Sequence, residues 1–217
     1  MKKAVQDMAL KKLVFATSNP HKLAEVRAIL DQQYEIVGLK DIGCEEDIPE
    51  TSDTFEGNAW LKVRYVKQHY GLDCFGEDTG LEVDALGGEP GVYTARYAGP
   101  ARNAQANMGL VLQKLGERPD RGARFRTAFA LLLDGQEKTF STAIEGEITR
   151  VPRGTGGFGY DPIFQPQGHA ETFAELPPSV KHDIGHRGQA VKLLVHYLQN
   201  DHKPGQTNHK TLLAPDQ

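Results

Sequence analysis

The first third of the chain alternates between two periods of apolar and polar positions. Residues 12–16, KLVFA, form a short apolar run typical of a strand, and residues 34–39, YEIVGL, form another. Residues 20–30 place apolar side chains at the spacing of one helix face, and residues 55–70 repeat that pattern. This succession of strand, helix, strand and helix predicts an α/β fold in which helices cover a sheet.

The second part of the chain predicts more strands and two further helices. Residues 73–86 contain two short strand-like pieces around an acidic turn. Residues 124–134 alternate apolar and polar positions, and residues 139–149 can pair with them antiparallel across the DGQE turn. Residues 103–115 and 186–199 carry apolar residues at helical spacing, which predicts a third helix and a last one.

Composition narrows the class of protein. The chain has 217 residues, enough for one large domain or two small lobes. Its net charge of −4 argues against a protein dominated by nonspecific nucleic-acid binding, so we expect no nucleic-acid partner. Cys44 and Cys74 are the only cysteines and lack the spacing of metal ligands, which fits a reducing cytoplasm.

The two ends of the chain suggest where the domain begins and stops. The first residues lack the uninterrupted apolar segment of a signal peptide, and no stretch reaches the roughly 20 apolar residues that span a bilayer. We therefore expect a cytoplasmic protein without a membrane partner. We assign residues 1–11 to an N-terminal extension, residues 12–200 to a single domain and residues 201–217 to a disordered tail.

The stretch TSNPHK, residues 17–22, joins the first strand to the first helix. A helix N-terminus offers free backbone N–H groups and the positive end of a dipole to an anion, and Lys22 can add a charged donor. This arrangement predicts a phosphate cradle, although the Walker pattern is absent. Ordinary helix capping is the alternative: it explains Asn19 and Pro20 but makes no demand on Lys22.

Two adjacent acids, Glu77 and Asp78, lie in the stretch GEDTG. Neighbouring residues of a strand point to opposite faces, so we expect only one carboxylate to face a given cleft and the other to be structural. Glu50, in DIPETSD, is the candidate partner of Asp78, because Mg²⁺ on a nucleotide is held by one or two carboxylates plus phosphate oxygens. Two surface carboxylates in turns remain the alternative.

The glycine-rich stretch RGTGGFGYDP, residues 153–162, carries the spacing G-x-G-x-x-G. A dinucleotide-binding loop needs a strand before these glycines and a helix after them, and Pro152 and Pro162 disfavour both. Phe158 and Tyr160 instead bring aromatic surface into a loop whose backbone can approach a flat group closely. A glycine-rich turn between strands is the alternative.

A basic cluster precedes the last predicted helix in the stretch KHDIGHRGQAV. Lys181, His186 and Arg187 belong to it, and cations at a helix N-terminus oppose the helix dipole. We therefore expect a ligand or partner that compensates the charge of this cluster.

Five stretches together resemble the inosine triphosphate pyrophosphatases, a family that is also called the noncanonical purine NTP pyrophosphatases. The stretches are FATSNPHKLAEV, FEGNAWLKV, EDTGLEVDALGGEPGVYTARYAG, GTGGFGYDPIF and KHDIGHRGQAV. They follow one another in the family's order and run through about 190 of the 217 residues, which makes the resemblance stronger than any single motif.

The resemblance implies a fold and a reaction. The fold is an elongated mixed β-sheet with flanking helices, in two lobes around a central nucleotide-binding cleft, and members of the family usually form homodimers. The reaction is Mg²⁺-dependent hydrolysis of ITP, dITP and XTP to the nucleoside monophosphate and pyrophosphate. We expect water to attack the α-phosphorus.

The resemblance also implies roles for individual residues. Glu50 and Asp78 match the metal-binding acids, Asp78 matches the proton acceptor, and Phe158 matches the residue that stacks on the purine. The residues that match substrate-binding positions are Thr17, Ser18, Asn19, Pro20, His21, Lys22, Lys62, Thr79, Phe158, Gly159, Tyr160, Asp161, Lys181, His186 and Arg187.

Some positions depart from the family pattern. His182 replaces the usual Asn and Gly185 the usual Ser beside the basic cluster, which affects hydrogen bonds near the base. Ser18 stands where many members carry Gly. Residues 57–59 read GNA where ENA is the common sequence, so Gly57 replaces a glutamate. None of these changes removes a residue assigned to chemistry.

Two functions of other classes compete with the enzyme. A noncatalytic nucleotide sensor could use the same pocket but would have little reason to retain both Glu50 and Asp78. A nucleic-acid-binding module could stack bases on the aromatic residues, and it would bind oligonucleotides in a salt-sensitive way.

Overall fold

A six-stranded mixed sheet forms the centre of the protein in a computed structural model that describes residues 10–30 and 34–202. The strands are β1 (Lys11–Phe15), β2 (Tyr34–Gly38), β3 (Cys74–Val83), β4 (Gly122–Leu133), β5 (Gln136–Ile148) and β6 (Phe164–Pro166). Their order across the sheet is β2-β1-β3-β4-β5-β6. Strand β1 runs parallel to both of its neighbours, and the remaining pairs are antiparallel. The predicted mixed α/β sheet with flanking helices is confirmed.

Within the described ranges, five α-helices flank this sheet. They are α1 (Pro20–Leu30), α2 (Phe55–Tyr70), α3 (Ala104–Leu115), α4 (Pro178–Ile184) and α5 (His186–His196). The N-termini of three of them are capped by side chains at the positions that the sequence favours. Asn19 accepts hydrogen bonds from two backbone N–H groups of α1, Thr54 accepts one from α2, and Asn103 accepts one from α3.

Strand β3 corrects one sequence prediction. Instead of two short pieces around an acidic turn, it is one strand of 10 residues that pairs with β4 along its whole length. Its glycines serve close packing rather than a turn. A Cβ on Gly76 would lie 2.6 Å from the carbonyl oxygen of Ala59, and a Cβ on Gly80 would lie 2.4 Å from that of Gly91. Glu77 and Asp78 therefore sit in the middle of a buried strand.

The apolar residues form separate cores toward the two ends of the sheet. At one end, Phe15, Phe75 and Phe129 pack together beneath α1 and α5, with the first two rings stacked 4.5 Å apart. A second cluster fills the space under α2 on the same part of the sheet. At the other end, Phe125 and Phe164 pack with residues of α3 and the loops that follow β5. These cores correspond to two lobes.

Strand β1 and the last helix lie near the two ends of the described residues. Strand β1 begins at Lys11, inside the predicted extension, where Lys11 pairs with Tyr34 of β2; its ammonium contacts Asp134 at 2.6 Å and Asp73 at 3.2 Å. The last helix was predicted over residues 186–199. It ends at His196 as an α-helix, and Tyr197–Asp201 continue it as a π-helical turn.

Residues 1–9 and 203–217 lie outside the described residues, and these ranges include most of the predicted extension and tail. The prediction of a single domain over residues 12–200 stays a prediction. Among the described residues, the helices are too short or too polar to cross a membrane.

Candidate active site

A cavity of about 400 Å³ opens between the two lobes. Most of the predicted site residues line it: Thr17, Ser18, Asn19, Lys22, Glu50, Lys62, Thr79, Phe158, Gly159, Tyr160, Asp161, Lys181, His186 and Arg187. Pro20, His21 and Asp78 are not part of this lining. His21 stacks beside Phe158 with ring centroids 5.7 Å apart, and Asp78 is 6% exposed on β3. The structure thus gathers stretches far apart in the sequence around one space.

The start of α1 forms one wall of the cavity. Thr17 Oγ1 accepts a hydrogen bond from the backbone N–H of Asn19, and the Asn19 side chain caps the helix. Helix capping, the alternative to a phosphate cradle, therefore explains Asn19. It does not explain Lys22, whose ammonium lies in the cavity wall 3.4 Å from the Glu77 carboxylate. Burial lowers the pKa of Lys22, against the opposing effect of Glu77.

Glu77 is buried within a network of cations. Its side chain is 0% exposed, and Arg187 donates to both carboxylate oxygens, with Nε at 3.0 and 2.9 Å and Nη2 at 2.9 Å. Thr79 also donates to it. Burial alone would raise the pKa of Glu77, but Arg187 and Lys22 outweigh it and hold that pKa well below its ordinary value. Glu77 is therefore an ionised structural anchor.

Arg187 is compensated inside the protein. Besides Glu77, it binds the carboxylate of Glu25, which α1 supplies. Burial opposes the charge of Arg187, but these two carboxylates raise its pKa above the ordinary value. The compensating group expected at the start of α5 is thus, for Arg187, a pair of carboxylates of the same chain.

Asp78 points to the opposite face of β3, as the alternation of a strand requires. It accepts hydrogen bonds from Asn58 Nδ2 at 2.9 Å and from the backbone N–H of Thr79 at 3.0 Å. Burial raises the pKa of Asp78; Lys62 lowers it, and the charge of Glu50 raises it further. Two neighbouring acids of one strand consequently have opposite pKa shifts.

Lys62 lines the cavity and contacts Glu50, the candidate partner of Asp78. It lies on α2, contacts Glu50 Oε1 with its ammonium, and donates to the carbonyl oxygen of Glu77 at 2.8 Å. Arg96 approaches the other Glu50 oxygen at 3.6 Å. Burial would raise the pKa of Glu50, but Lys62 outweighs it and lowers that pKa. Lys62 therefore contacts Glu50 and acts electrostatically on Asp78, and we call Glu50 and Asp78 the acidic pair.

Asn58 is a site residue that the sequence analysis missed. It is buried on α2, orients Asp78 through its Nδ2, and accepts a hydrogen bond from the backbone N–H of Ser52 at 2.9 Å. The second bond fixes the loop that carries Glu50. The available signal was an amide among the apolar residues of a helix face that packs on the sheet.

The aromatic end of the cavity is built around Phe158. The Lys181 ammonium lies 4.6 Å from the centre of its ring, and the Arg187 guanidinium carbon lies at 5.7 Å. Asp161 holds both Phe158 and Lys181 in place, because it accepts hydrogen bonds from the Phe158 backbone N–H and from Lys181 Nζ, each at 2.7 Å. Burial raises the pKa of Asp161, against the opposing effect of Lys181. A flat ring thus borders the cavity beside a held ammonium.

His186 completes this end. Its ring stacks on Phe125 at 4.8 Å, and its Nδ1 is buried without a hydrogen-bond partner among the described residues. Burial lowers the pKa of His186 well below its ordinary value, so the imidazole is neutral near pH 7. A neutral imidazole offers one donor and one acceptor to a bound molecule.

Asn107, which lines the cavity, is a second residue that the sequence analysis missed. Asn107, on α3, accepts from the backbone N–H of Ala98 at 2.7 Å and donates to the carbonyl oxygen of Ala95 at 3.0 Å. It thereby holds the segment whose Thr94 and Ala95 border the cavity. As with Asn58, the signal was a buried amide on an otherwise apolar helix face.

The departure at Gly185 has a steric basis. A Cβ on Gly185 would lie 2.5 Å from the Lys181 carbonyl oxygen, so the junction between α4 and α5 has no room for the usual serine. Gly188 is tighter, with 1.8 Å to the carbonyl oxygen of His182. The junction thus favours glycine, while Lys181, His186 and Arg187 still line the cavity.

The sequence profile of the Ham1 family matches residues 13–197. This chain belongs to the Ham1 family. Ham1 relatives include a dITP/XTP pyrophosphatase of Flavobacterium johnsoniae, 54% identical over 187 residues, which cover 86% of this chain and 97% of the relative. A dITP/XTP pyrophosphatase of Porphyromonas gingivalis is 53% identical over 190 residues, or 87% and 98% of the two chains.

Solved Ham1 structures share the fold. The structure of the Staphylococcus aureus Ham1 protein superposes with a TM-score of 0.82 at 37% identity, covering 88% of this chain and 100% of that chain. The resemblance inferred from the five sequence stretches is therefore confirmed at the level of family and fold.

Proposed function

We propose that this Ham1 protein hydrolyses the noncanonical purine nucleoside triphosphates ITP, dITP and XTP to the monophosphate and pyrophosphate, clearing them from the nucleotide pool. The observation that carries the proposal is one cavity lined by Lys22 at a helix N-terminus, by Lys62 and Glu50 and by an aromatic wall, with Asp78 buried next to the lining residue Thr79. These are the groups needed for a triphosphate, for its hydrolysis and for a base. The relatives named dITP/XTP pyrophosphatase support the same reaction.

The triphosphate would lie along α1 and α2. Lys22 and Lys62 both project into the cavity, and the N-terminus of α1 adds the positive end of its dipole. Hydrolysis of a phosphoanhydride depends largely on positioning and on charge neutralisation at the phosphate oxygens. Two ammonium groups and a helix N-terminus supply such neutralisation.

The residues present also fit Mg²⁺. The described part of the chain has no cluster of three or more His, Cys, Asp or Glu side chains suited to a metal. The acidic pair offers two carboxylates, which is the usual protein share for a magnesium ion that also binds substrate phosphates. In the structure a cation, the Lys62 ammonium, already contacts Glu50. Glu50 and Asp78 would hold Mg²⁺, which would withdraw charge from the phosphate oxygens.

Asp78 would act on the attacking water. Burial raises its pKa above that of an ordinary aspartate, which makes its carboxylate a better proton acceptor. Asn58 fixes the orientation of that carboxylate through a hydrogen bond of 2.9 Å. Asp78 would accept the proton of a water directed at the α-phosphorus, and pyrophosphate would leave.

Base selection would depend on donors next to Phe158. The purine would stack on this ring, and neutral His186 and the Lys181 ammonium would donate to the 6-oxo group of hypoxanthine or xanthine. Adenine carries an amino group there and would leave these buried donors unpaired, which is costly. Arg187 already binds Glu77 and Glu25, so we assign its main contribution to holding the pocket.

The proposal includes a homodimer in a reducing cytoplasm, with no nucleic-acid partner. The resemblance supports the dimer. Cys44 and Cys74 are free and buried, which is compatible with a reducing compartment. The net charge of −4 argues against nonspecific nucleic-acid binding.

The test is the release of pyrophosphate from ITP, XTP, GTP and ATP, with and without Mg²⁺. We expect Mg²⁺-dependent release from ITP and XTP, with kcat/KM at least about 100 times that for ATP, the scale of one mispaired buried donor. Binding of ITP without turnover would favour the nucleotide sensor. Failure to bind nucleotides together with salt-sensitive oligonucleotide binding would favour the nucleic-acid module.

A further inference from the structure

Lys62 is placed where a metal ion would be expected. Its side chain is 12% exposed, and its ammonium contacts the Glu50 carboxylate beside Asp78. A second bond of 2.8 Å to the Glu77 carbonyl oxygen holds the ammonium in position. The ammonium thus contacts one carboxylate oxygen and one carbonyl oxygen, and both kinds of oxygen suit a hard cation.

Helix α2 builds this arrangement with two residues one turn apart. Asn58 and Lys62 are spaced i and i+4, so they lie on the same helix face. Asn58 orients Asp78 and also binds the loop of Glu50, while Lys62 contacts Glu50. The same face thus positions both members of the acidic pair and places a positive charge against Glu50.

The acidic pair is incomplete as a metal site in the protein alone. Two carboxylates supply few of the oxygen ligands that an octahedral ion takes, and phosphate oxygens would supply others. Lys62 and, at 3.6 Å, Arg96 moreover neutralise the Glu50 carboxylate. A divalent cation entering without nucleotide would have to displace the ammonium from Glu50.

We propose that Lys62 competes with the divalent cation for Glu50 in the nucleotide-free protein and moves to the phosphates when a triphosphate binds. This inference rests on the proposed function, because the triphosphate supplies the oxygen atoms that receive the ammonium. By linkage, the nucleotide strengthens metal binding and the metal strengthens nucleotide binding. The metal therefore enters with the nucleotide rather than before it.

The test measures Mg²⁺ binding to the nucleotide-free protein by titration calorimetry. We expect Lys62→Met to bind Mg²⁺ at least about tenfold more tightly than the wild type, because the competing ammonium is gone. The double variant Lys62→Met/Glu50→Gln should lose this gain. Lys62→Gln, which retains a donor for the Glu77 carbonyl group, is a second variant in case methionine destabilises the protein.

Lys22→Met is the matched control for a general change in charge. Lys22 lies in the same cavity but contacts Glu77 instead of Glu50. Its removal should strengthen Mg²⁺ binding less than about threefold, since the field of a charge acts without occupying the ligand. An equal gain in the two lysine variants would overturn the proposal, and so would unchanged affinity in Lys62→Met and Lys62→Gln.

The same preparations separate this inference from the proposed function. Pyrophosphate release from ITP by the wild type together with unchanged Mg²⁺ affinity in Lys62→Met would overturn the competition alone. Absence of turnover by the wild type on ITP and XTP would instead overturn the proposed function.

Discussion

Glu77 and Asp78 are neighbours on strand β3, yet the two faces of that strand surround them differently. On one face, Arg187 and Lys22 neutralise Glu77 and hold its pKa well below the ordinary value. On the other, Asp78 receives hydrogen bonds from Asn58 and Thr79, and its pKa is raised. A single strand thus carries one fully paired acid and one underpaired acid.

This difference separates support from reactivity. A carboxylate bound by a bidentate guanidinium is a poor proton acceptor, and removing it leaves a buried cation behind. A carboxylate with a raised pKa, buried next to a residue that lines a cavity, is suited to proton transfer and to metal binding. We therefore assign the binding framework to the Glu77 face and the hydrolysis to the Asp78 face.

The largest effect should follow Asp78→Asn. We expect kcat for ITP to fall by about 10³-fold, the scale of general base catalysis, while ITP still binds. Single-turnover pyrophosphate release and equilibrium dialysis measure the two quantities. Asp84→Asn, at an exposed acid that pairs with Arg124, is the control and should keep its kcat. Near-normal kcat in Asp78→Asn would remove the assigned role.

Glu77→Gln should act first on stability. The variant leaves the Arg187 guanidinium buried with only Glu25 as an anionic partner, and loss of one member of a buried pair costs about 3 kcal/mol of unfolding free energy. Urea denaturation measures this loss. Glu82→Gln, whose acid is 3.9 Å from two arginines, should cost less than about 0.5 kcal/mol. Equal losses in both variants would contradict the framework role.

Phe158→Ala sharpens the comparison at the base end of the cavity. Removal of a stacking ring should raise KM for ITP about tenfold with a smaller change in kcat, because base stacking contributes on the order of 1–3 kcal/mol. Phe158→Tyr keeps the ring and should retain the wild-type KM. Steady-state kinetics of the two variants decide the matter, and an unchanged KM in Phe158→Ala would place the base elsewhere.

The smallest effect is a difference in pH dependence. The lowered pKa of Glu77 gives stability that is present above the ordinary pKa near 4.5 and is lost as the pH falls through the folded-state value. The raised pKa of Asp78 gives a penalty at neutral pH that is relieved as the pH falls through its folded-state value.

Unfolding curves between pH 7 and about pH 3 should therefore diverge in opposite directions. As the pH falls, the wild type should lose stability relative to Glu77→Gln and gain stability relative to Asp78→Asn. Parallel slopes for the two variants would mean that the faces of β3 do not differ in this way.

Local patterns predicted much of the fold. Apolar periodicity placed α1, α2, α3 and α5 but not the short α4, and capping residues such as Asn19 and Asn103 marked where two of them begin. Strand alternation separated Glu77 from Asp78 before any contact was known. The continuity of β3 was missed because Gly76 and Gly80 are typical of turns, whereas here they admit neighbouring backbone at close range.

The contacts between distant segments were beyond the sequence. Arg187 meets Glu25 because α1 and α5 pack on the same part of the sheet, and the basic cluster alone could not reveal an internal partner. Asn58 likewise acquires its role from the approach of α2 to β3. Such roles depend on tertiary packing, while the predicted site residues came from stretches with local chemical patterns.

The most direct test of the proposed hydrolysis follows oxygen from labelled water. ITP is hydrolysed by the wild type in H₂¹⁸O, and mass spectrometry locates the label in the products. We predict that the label enters the monophosphate, because water oriented by Asp78 attacks the α-phosphorus. Label in the pyrophosphate would contradict this assignment, since the water would then have attacked the β-phosphorus.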